Sequence, residues 1–348
     1  MNDRIAFVTT GGTIGSILRG GSRAVEPGGE ALRTAIAALC ENHSASYEVR
    51  SPVNLASEDF DPGTWALIAA SVRDCLDAGI DKIVVTHGTD TLCYTATALA
   101  MLFAGRRARI CLTGAFRGPD HPRTDVGFSL SAALEAVLFD AVPDGVHVAL
   151  PEAARPRRAA VIQGLDVKPI AFDEAGVRSR YDRRVAEYSV EDGIVACRAG
   201  DDGGALVLAL DDRPLPAPTE VQARARRIHF QPVYPGLDLA GVLGGDRSVD
   251  AVVLGLYHSG TASGVDPPGS ILGYLRRKVR PPVLMGALPV GHVPDPYAST
   301  VSLIAAGANV YGDVQAHQLY AMLALGLAQE RSVEDVLRLL DPYRIAAV

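Results

Sequence analysis

The first half of the chain alternates short apolar runs with longer amphipathic ones, and this rhythm predicts its elements. Arg4–Thr9 reads RIAFVT, a buried strand. Ser46–Val53, Lys82–Thr86, Arg109–Thr113 and Val146–Leu150 are predicted as further strands. Helices are predicted over about 29–42, from Asp61 to Ala78, from the HGTDT loop to about Ala104, and from Asp125 to about Phe139. Asp61 suits an N-cap, with Pro62 at the first helical position. Strands alternating with helices imply a parallel sheet covered on both faces. Ligands bind such sheets beyond the C-terminal strand ends. The loops after Thr9, Val53, Thr86 and Thr113 are therefore expected to gather at one edge.

The rhythm breaks over 155–210, where short β-like runs at Ile194–Arg198 and Ala205–Leu210 predict hairpins closing a first domain. DDRPLPAPTE, at 211–220, is proline-rich and polar and reads as a linker. The βα pattern then restarts, with strands expected at 227–232, 251–256 and 283–287 and helices near 268–279, 297–307, 315–328 and 332–340. The expected architecture is α/β in two domains: a larger N-terminal parallel-sheet domain over 1–210, a linker over 211–226, and a smaller C-terminal α/β domain over 227–348.

Composition narrows the function classes. With 348 residues, 48% of them hydrophobic and 21% charged, the chain is neither disordered, nor a coiled coil, nor a small disulfide scaffold. Forty acidic against 33 basic residues give a net charge of −7, so the basic surplus of a nucleic-acid binder is missing. The five cysteines (Cys40, Cys75, Cys93, Cys111 and Cys197) are odd in number and form no CxxC pair, and they read as reduced core thiols. His87, His121, His292 and His317 are scattered and form no HExxH, so no metal is expected. No apolar run is long enough to span a membrane, and a first strand beginning at Arg4 leaves no room for a signal peptide. A cytoplasmic protein is expected.

Two threonine-rich loops carry the candidate chemistry. TTGGTIGS, Thr9 to Ser16, directly follows the first strand, and its glycines would let the backbone turn sharply and present Thr13. It lacks the Gly-Lys-Ser/Thr of a P-loop and the spacing of a dinucleotide fingerprint, and a plain turn is the alternative. THGTDT, Thr86 to Thr91, lies between a strand and a helix, where Thr89, Asp90 or Thr91 could simply cap the helix. Capping leaves unexplained a His-Gly-Thr-Asp cluster at the ligand edge of a parallel sheet. Two hydroxyl-bearing loops at one edge suggest nucleophilic acyl chemistry, in which a threonine needs a base or a cation to lose its proton. Backbone N–H groups around Gly11–Thr13 and Gly88–Thr89 could form an oxyanion hole.

With these two loops in this order, the chain resembles the bacterial L-asparaginases of the type I/type II family, which includes glutaminase-asparaginases. SEDFDPGTW at 57–65, TGAFRGPDHPRTD at 113–125 and YASTVSLIAAGANVYGDVQAHQLYAML at 297–323 extend the resemblance over most of the chain. It implies hydrolysis of a side-chain amide to acid and ammonia without metal or cofactor. It implies that Thr13 is the nucleophile and that Thr89 and Asp90 form a second catalytic group with a lysine. Ser57 would bind the substrate carboxylate, and the backbone at Gly88 and Ala115 would line the pocket. The family also implies a homodimer or homotetramer, each site completed by a neighbouring C-terminal domain.

The departures bear on the substrate. The family carries a tyrosine on a mobile lid about a dozen residues beyond its first threonine. Here that stretch reads ILRGGSRAVEPGG, with Ala24 or Val25 in its place. The lysine is also missing: Val161 or Ile162 occupies its position, Lys168 comes late, and Arg158 would supply charge but no proton transfer near neutrality. Glu58 stands where the family often has glutamine or serine, and favours a substrate ammonium. His258 follows a second-domain strand in a loop that the family aims at a neighbouring subunit, and could act as a base near neutral pH. The expected function is hydrolysis of a small-molecule amide, on a modified amino acid or biosynthetic intermediate rather than free asparagine. The alternative is an impaired enzyme that binds an amino acid.

Overall fold

The structure, a computed structural model, describes residues 3–26, 29–152, 155–170, 183–197, 206–211, 213–243, 249–257, 259–265, 269–277, 280–286 and 297–345. The chain divides into two compact units, Met1–Pro214 and Leu215–Val348.

The first unit runs β1 (Arg4–Thr9), β2 (Ser16–Arg19), β3 (Ser22–Val25), α1 (Glu30–His43), β4 (Ser46–Arg50), α2 (Pro62–Asp77), β5 (Lys82–Thr86), α3 (Leu92–Leu102), β6 (Arg109–Thr113), α4 (Val126–Leu138), β7 (Gly145–Glu152), β8 (Arg155–Gln163), β9 (Ala186–Ser189) and β10 (Gly193–Ala196). Eight strands form one sheet in the order β10-β9-β8-β7-β6-β5-β1-β4. The five strands from β7 to β4 pair in parallel, while β8, β9 and β10 add on antiparallel. Strands covered on both faces need apolar residues at successive positions. Ile5, Ala6, Phe7 and Val8 of β1 are all fully buried, as are Ile83, Val84 and Val85 of β5.

The helices divide between the faces. Leu32, Ile36 and Cys40 of α1 share a core with Leu130, Ala133 and Val137 of α4 and with Ile5, Phe7, Val84 and Cys111 on one side of the sheet. Helices α2 and α3 pack on each other, and α2 also meets β1 and α3 meets β7. The alternate strand residues on that opposite side, such as Ala6, Val8, Val85 and Leu112, are equally buried. Both α3 and α4 link adjacent parallel strands in the same direction of travel, from β5 to β6 and from β6 to β7, yet they lie on opposite faces. These two crossovers therefore have opposite hands, although nearly all such connections are right-handed. The chain goes from β1 outward to the edge strand β4, then returns past β1 to β5. The order thus reverses between β1 and β5, which is where a parallel sheet opens a crevice for ligands.

Two expectations are corrected, and one hairpin is added. The strand expected over Ser46–Val53 ends at Arg50, because Pro52 has no N–H to continue a ladder. The run expected over Ala205–Leu210 is not a strand across its described residues, 206–210. Its alternation buries Leu206, Leu208 and Leu210, but the Leu210 N–H donates to Met101 O at the end of α3. The hairpin β2–β3, with Gly20 and Gly21 at positive φ in its two-residue turn, was not expected.

The second unit contains α5 (Pro218–Ala225), β11 (Ile228–Pro232), α6 (Leu239–Leu243), β12 (Ala251–Gly255), α7 (Ile271–Leu275), β13 (Val283–Gly286), α8 (Ala298–Ala305), β14 (Asn309–Tyr311), α9 (Ala316–Ala328) and α10 (Val333–Leu340). Its four strands form a parallel sheet in chain order. Helix α5 falls within the stretch expected as linker and packs along α9. No helix among the described residues is long and apolar enough to cross a membrane.

Helix α2 begins as the sequence predicts. The Thr64 N–H donates to Asp61 Oδ1 at 2.9 Å, the Thr64 hydroxyl faces the Asp61 N–H, and Pro62 occupies the first turn. Asp61→Ala is expected to cost about 1 kcal/mol, the usual worth of such a cap. A lowered urea midpoint with an unchanged slope would register it.

Candidate functional site

The crevice between β1 and β5 is formed by loops that touch through glycine. Gly11 and Gly12 have φ of +102° and +74°, a region costly for any residue with a Cβ. A Cβ on Gly12 would land on the Gly88 backbone, and one on Gly88 would land on the Ser57 side chain. A Cβ on Gly11 would strike Leu55, with which Gly11 forms an isolated parallel bridge. The Gly12 N–H donates to Leu55 O at 2.9 Å and the Leu55 N–H to Thr10 O at 3.0 Å. The buried Thr10 hydroxyl donates to Thr86 O at 2.7 Å, and the Thr91 hydroxyl donates to Ser57 O at 2.8 Å. Three loops, around residues 10–13, 55–58 and 87–91, are thus stitched into one floor.

Thr13 and Thr89 are the immediate successors of the two apposed glycines, and both are half-buried. Thr13 opens a single turn of 3-10 helix. Thr89 lies in the turn leading to α3, its methyl group beside Gly114. Ser57 is buried against Gly88, Glu58 and Asp90 are exposed, and Ala115 is fully buried just beyond β6. The fold thus brings Thr13, Ser57, Gly88 and Thr89 together, with Glu58 and Asp90 on the same loops and Ala115 in the loop after β6. His258 lies outside the described residues. Two expectations about these loops change. The Gly12 N–H is committed to Leu55 and is not an oxyanion donor. Thr91 holds the N-cap position of α3, but its hydroxyl binds Ser57 rather than the helix.

His87 is fully buried, and its ring is fixed from both ends. Nδ1 donates to Gly88 O at 2.7 Å, which leaves Nε2 to accept from the Thr95 hydroxyl at 2.8 Å. Phe60 packs edge-on against the ring, 4.7 Å between centroids. Burial pushes the His87 pKa down to about 4, so it is neutral at pH 7. It neither titrates near neutrality nor has a free ring nitrogen. Its role is to hold the carbonyl of Gly88.

The positions around the missing lysine are closed. Val161 and Ile162 are buried in β8. Arg158 is paired with Glu187 at 3.1 Å and Asp192 at 3.6 Å. Beside it, at the end of β7, Glu152 takes Arg184 at 2.7 Å and Arg155 at 2.8 Å. Among the described residues no group of three His, Cys, Asp or Glu side chains could hold a metal. Burial raises the thiol pKa of Cys40 to about 11 and of Cys93 to about 12, which keeps both protonated.

Two features were missed in the sequence. Asp125, expected only as a helix start, accepts the N–H groups of Phe116 at 3.0 Å and Arg117 at 2.7 Å and folds the loop after β6 back on itself. Asp120 in the same loop accepts the Leu18 N–H at 2.7 Å and Arg23 Nη1 at 2.9 Å. Both pairings join residues of different loops or loop ends, and no local pattern announces them.

Residues 4–174 match the family model for the asparaginase N-terminal domain. A glutamyl-tRNA(Gln) amidotransferase subunit of Aeropyrum pernix is 29% identical over 344 residues, covering 96% of this chain and 77% of the relative. The corresponding subunit of Halobacterium salinarum is 35% identical over 138 residues, 39% of this chain and 32% of the relative. Among solved structures, the thermostable L-asparaginase from Thermococcus kodakarensis aligns with a TM-score of 0.71 at 22% identity, covering 97% of this chain and 96% of its own. The probable cytoplasmic L-asparaginase from Campylobacter jejuni aligns with a TM-score of 0.73 at 18% identity, covering 98% and 100%.

The buried neutral state of His87 has a thermodynamic signature. Its folded pKa lies below the unfolded value of about 6.5, so the unfolded state binds more protons between the two. Stability is therefore expected to fall as pH drops from about 6.5 toward about 4. Each such histidine contributes a slope of up to about 1.4 kcal/mol per pH unit. His147 and His317 are shifted in the same direction by burial. His87→Gln should remove one proton's share of that slope in denaturation curves taken across this range.

Proposed function

The chain is a divergent member of the asparaginase family, and from that premise we propose that it hydrolyses the side-chain amide of a small molecule by threonine attack. The family makes it a hydrolase of amide C–N bonds. The observation that carries the finer reading is the pair of threonines following apposed glycines at the reversal point of the sheet.

In this reading one threonine Oγ attacks the amide carbon and gives up its proton as the C–O bond forms. The tetrahedral intermediate expels ammonia, which takes up a proton on leaving. Water then cleaves the resulting ester, releases the acid and restores the hydroxyl. Asp90 orients or assists Thr89, Ser57 meets the substrate carboxylate, and Glu58 meets its ammonium. The backbone at Gly88 and Ala115 lines the pocket. His87 is unsuited as the base, because burial lowers its pKa to about 4, which makes the ring a weak proton acceptor, and both ring nitrogens are engaged. His258, from a neighbouring copy in a homo-oligomer, remains the titratable candidate.

The preferred substrate is a modified amino acid or biosynthetic intermediate. Supporting this are the absence of tyrosine from residues 16–26, the buried aliphatic pair Val161 and Ile162 where the lysine is expected, and the carboxylate of Glu58. A second reading is favoured by the alignment of 96% of the chain with an amidotransferase subunit. There, the nitrogen freed at this site passes to an acceptor such as glutamyl-tRNA(Gln). The net charge of −7 makes contact with the nucleic acid the task of another subunit.

Ammonia release from a panel of amides, with and without an acceptor, separates these readings from a protein that only binds amino acids. Thr13→Val and Thr89→Val keep the β-branched shape and delete one hydroxyl. Each is expected to fold normally and to lose about 100-fold or more in turnover. The variant that still accumulates an acyl-enzyme retains the nucleophile. L-Asparagine is expected to turn over more slowly than about 10 per second, the middle of the ordinary enzyme range.

A further inference from the structure

On its N-terminal side the turn bearing Thr13 is held by the Gly12 N–H on Leu55 O and by the contact of Gly12 with Gly88. On its C-terminal side it runs straight into the hairpin β2–β3, which sets the other end of the turn. Ser16, the first hairpin residue, donates its hydroxyl back to Gly12 O at 2.7 Å, and the Glu26 N–H just beyond the hairpin donates to Gly15 O at 2.8 Å.

The hairpin is in turn fastened to the loop after β6. Asp120 Oδ2 accepts the Leu18 N–H at 2.7 Å, and Oδ1 accepts Arg23 Nη1 at 2.9 Å. The same Arg23 nitrogen donates to Ser16 O at 2.8 Å. Gly118 allows this approach, since a Cβ there would collide with the Arg23 guanidinium and Ser16 O. The anchoring loop is braced by Asp125, by the His121 N–H on Gly118 O at 3.1 Å, and by the Thr124 hydroxyl on Arg117 O at 3.2 Å. The Leu18 amide and the Arg23 guanidinium hold the Asp120 carboxyl below the usual carboxylate range, so it is ionised at neutral pH.

We propose that Asp120 and Arg23 are positioning residues for Thr13: together they clamp the hairpin to the loop after β6 and make it a fixed wall of the crevice. This rests on the reading of Thr13 as part of the site. It replaces ordering by a lid tyrosine, which this hairpin lacks, with ordering by a charged clamp. An ordinary surface ion pair as exposed as this one, about a third on each side chain, has little effect on anything. What distinguishes this pair is that the carboxylate accepts a backbone N–H of β2 while the guanidinium, carried by β3, donates to a backbone carbonyl of β2, so that both strands are tied to the loop.

The test compares Asp120→Ala, Arg23→Ala and the double variant with Asp140→Ala, which breaks the exposed Arg109–Asp140 pair. Hydrogen exchange of the peptide covering residues 14–25 reads the clamp directly. Steady-state kinetics on the best amide of the panel reads its consequence. Either clamp variant is expected to speed exchange at Leu18 at least tenfold and to lower kcat about 10- to 100-fold, the effect of displacing a reacting group by about an ångström. KM should change much less, and the melting temperature should stay close to that of Asp140→Ala. The double variant should be no worse than either single one, and Arg23→Lys should recover part of kcat. Unchanged exchange at Leu18, or freed exchange with kcat within twofold of the parent, would overturn the proposal. Full activity in Thr13→Val would instead overturn the reading of Thr13, while the exchange data would still report whether the clamp exists.

Discussion

The contact on which the site depends is the apposition of two backbones, Gly12 on Gly88, with no side chain between them. It requires glycine in both loops and holds β1 and β5 ends closer than any other residue would allow. The rest follows from that closeness. Thr10 can reach Thr86 O, Leu55 can ladder with the loop after β1, and Ser57 fits directly against Gly88. His87, trapped beneath, is kept neutral by the same burial. Thr13 and Thr89 stand over one floor because each follows a glycine in the contact.

Much of this floor is legible in the sequence. The strands Arg4–Thr9, Lys82–Thr86 and Arg109–Thr113 have the predicted bounds, because strands buried on both faces are short, apolar through their middle and ended by polar residues. The glycines and threonines of the two loops stand out for the same reason. What resists reading depends on distance along the chain. Arg23 and Asp120 are 97 residues apart, and each alone looks like a solvated surface charge. Asp125 sits where a helix should start, and its sequence context gives no hint that its carboxylate turns back to Phe116 and Arg117. β14 has only three residues, Asn309–Tyr311, too few to display a period.

The closed surroundings of the absent lysine are informative in another way. A cation could have been supplied by arginine from the same region, and three guanidiniums do gather there. Arg155, Arg158 and Arg184 are held by Glu152, Glu187 and Asp192. Arginine forks bind carboxylates well but do not exchange protons at neutral pH. Charge is kept in this neighbourhood without acid–base capacity.

The reversed hand of the β6–α4–β7 crossover bears on how an active site can be assembled from parts distant in sequence. Helix α1, which follows the β2–β3 hairpin, covers one face, and α4, which follows the loop bearing Asp120, covers that same face. Both connections therefore leave the sheet edge on one side and can meet. With the usual hand, α4 would join α2 and α3 on the far face and its loop would depart away from the hairpin. A chirality choice made deep in the fold, with no chemistry of its own, thus decides which two stretches of chain are neighbours at the rim. A close mimic of this protein built with uniform handedness could copy every residue of both loops and still never bring them together.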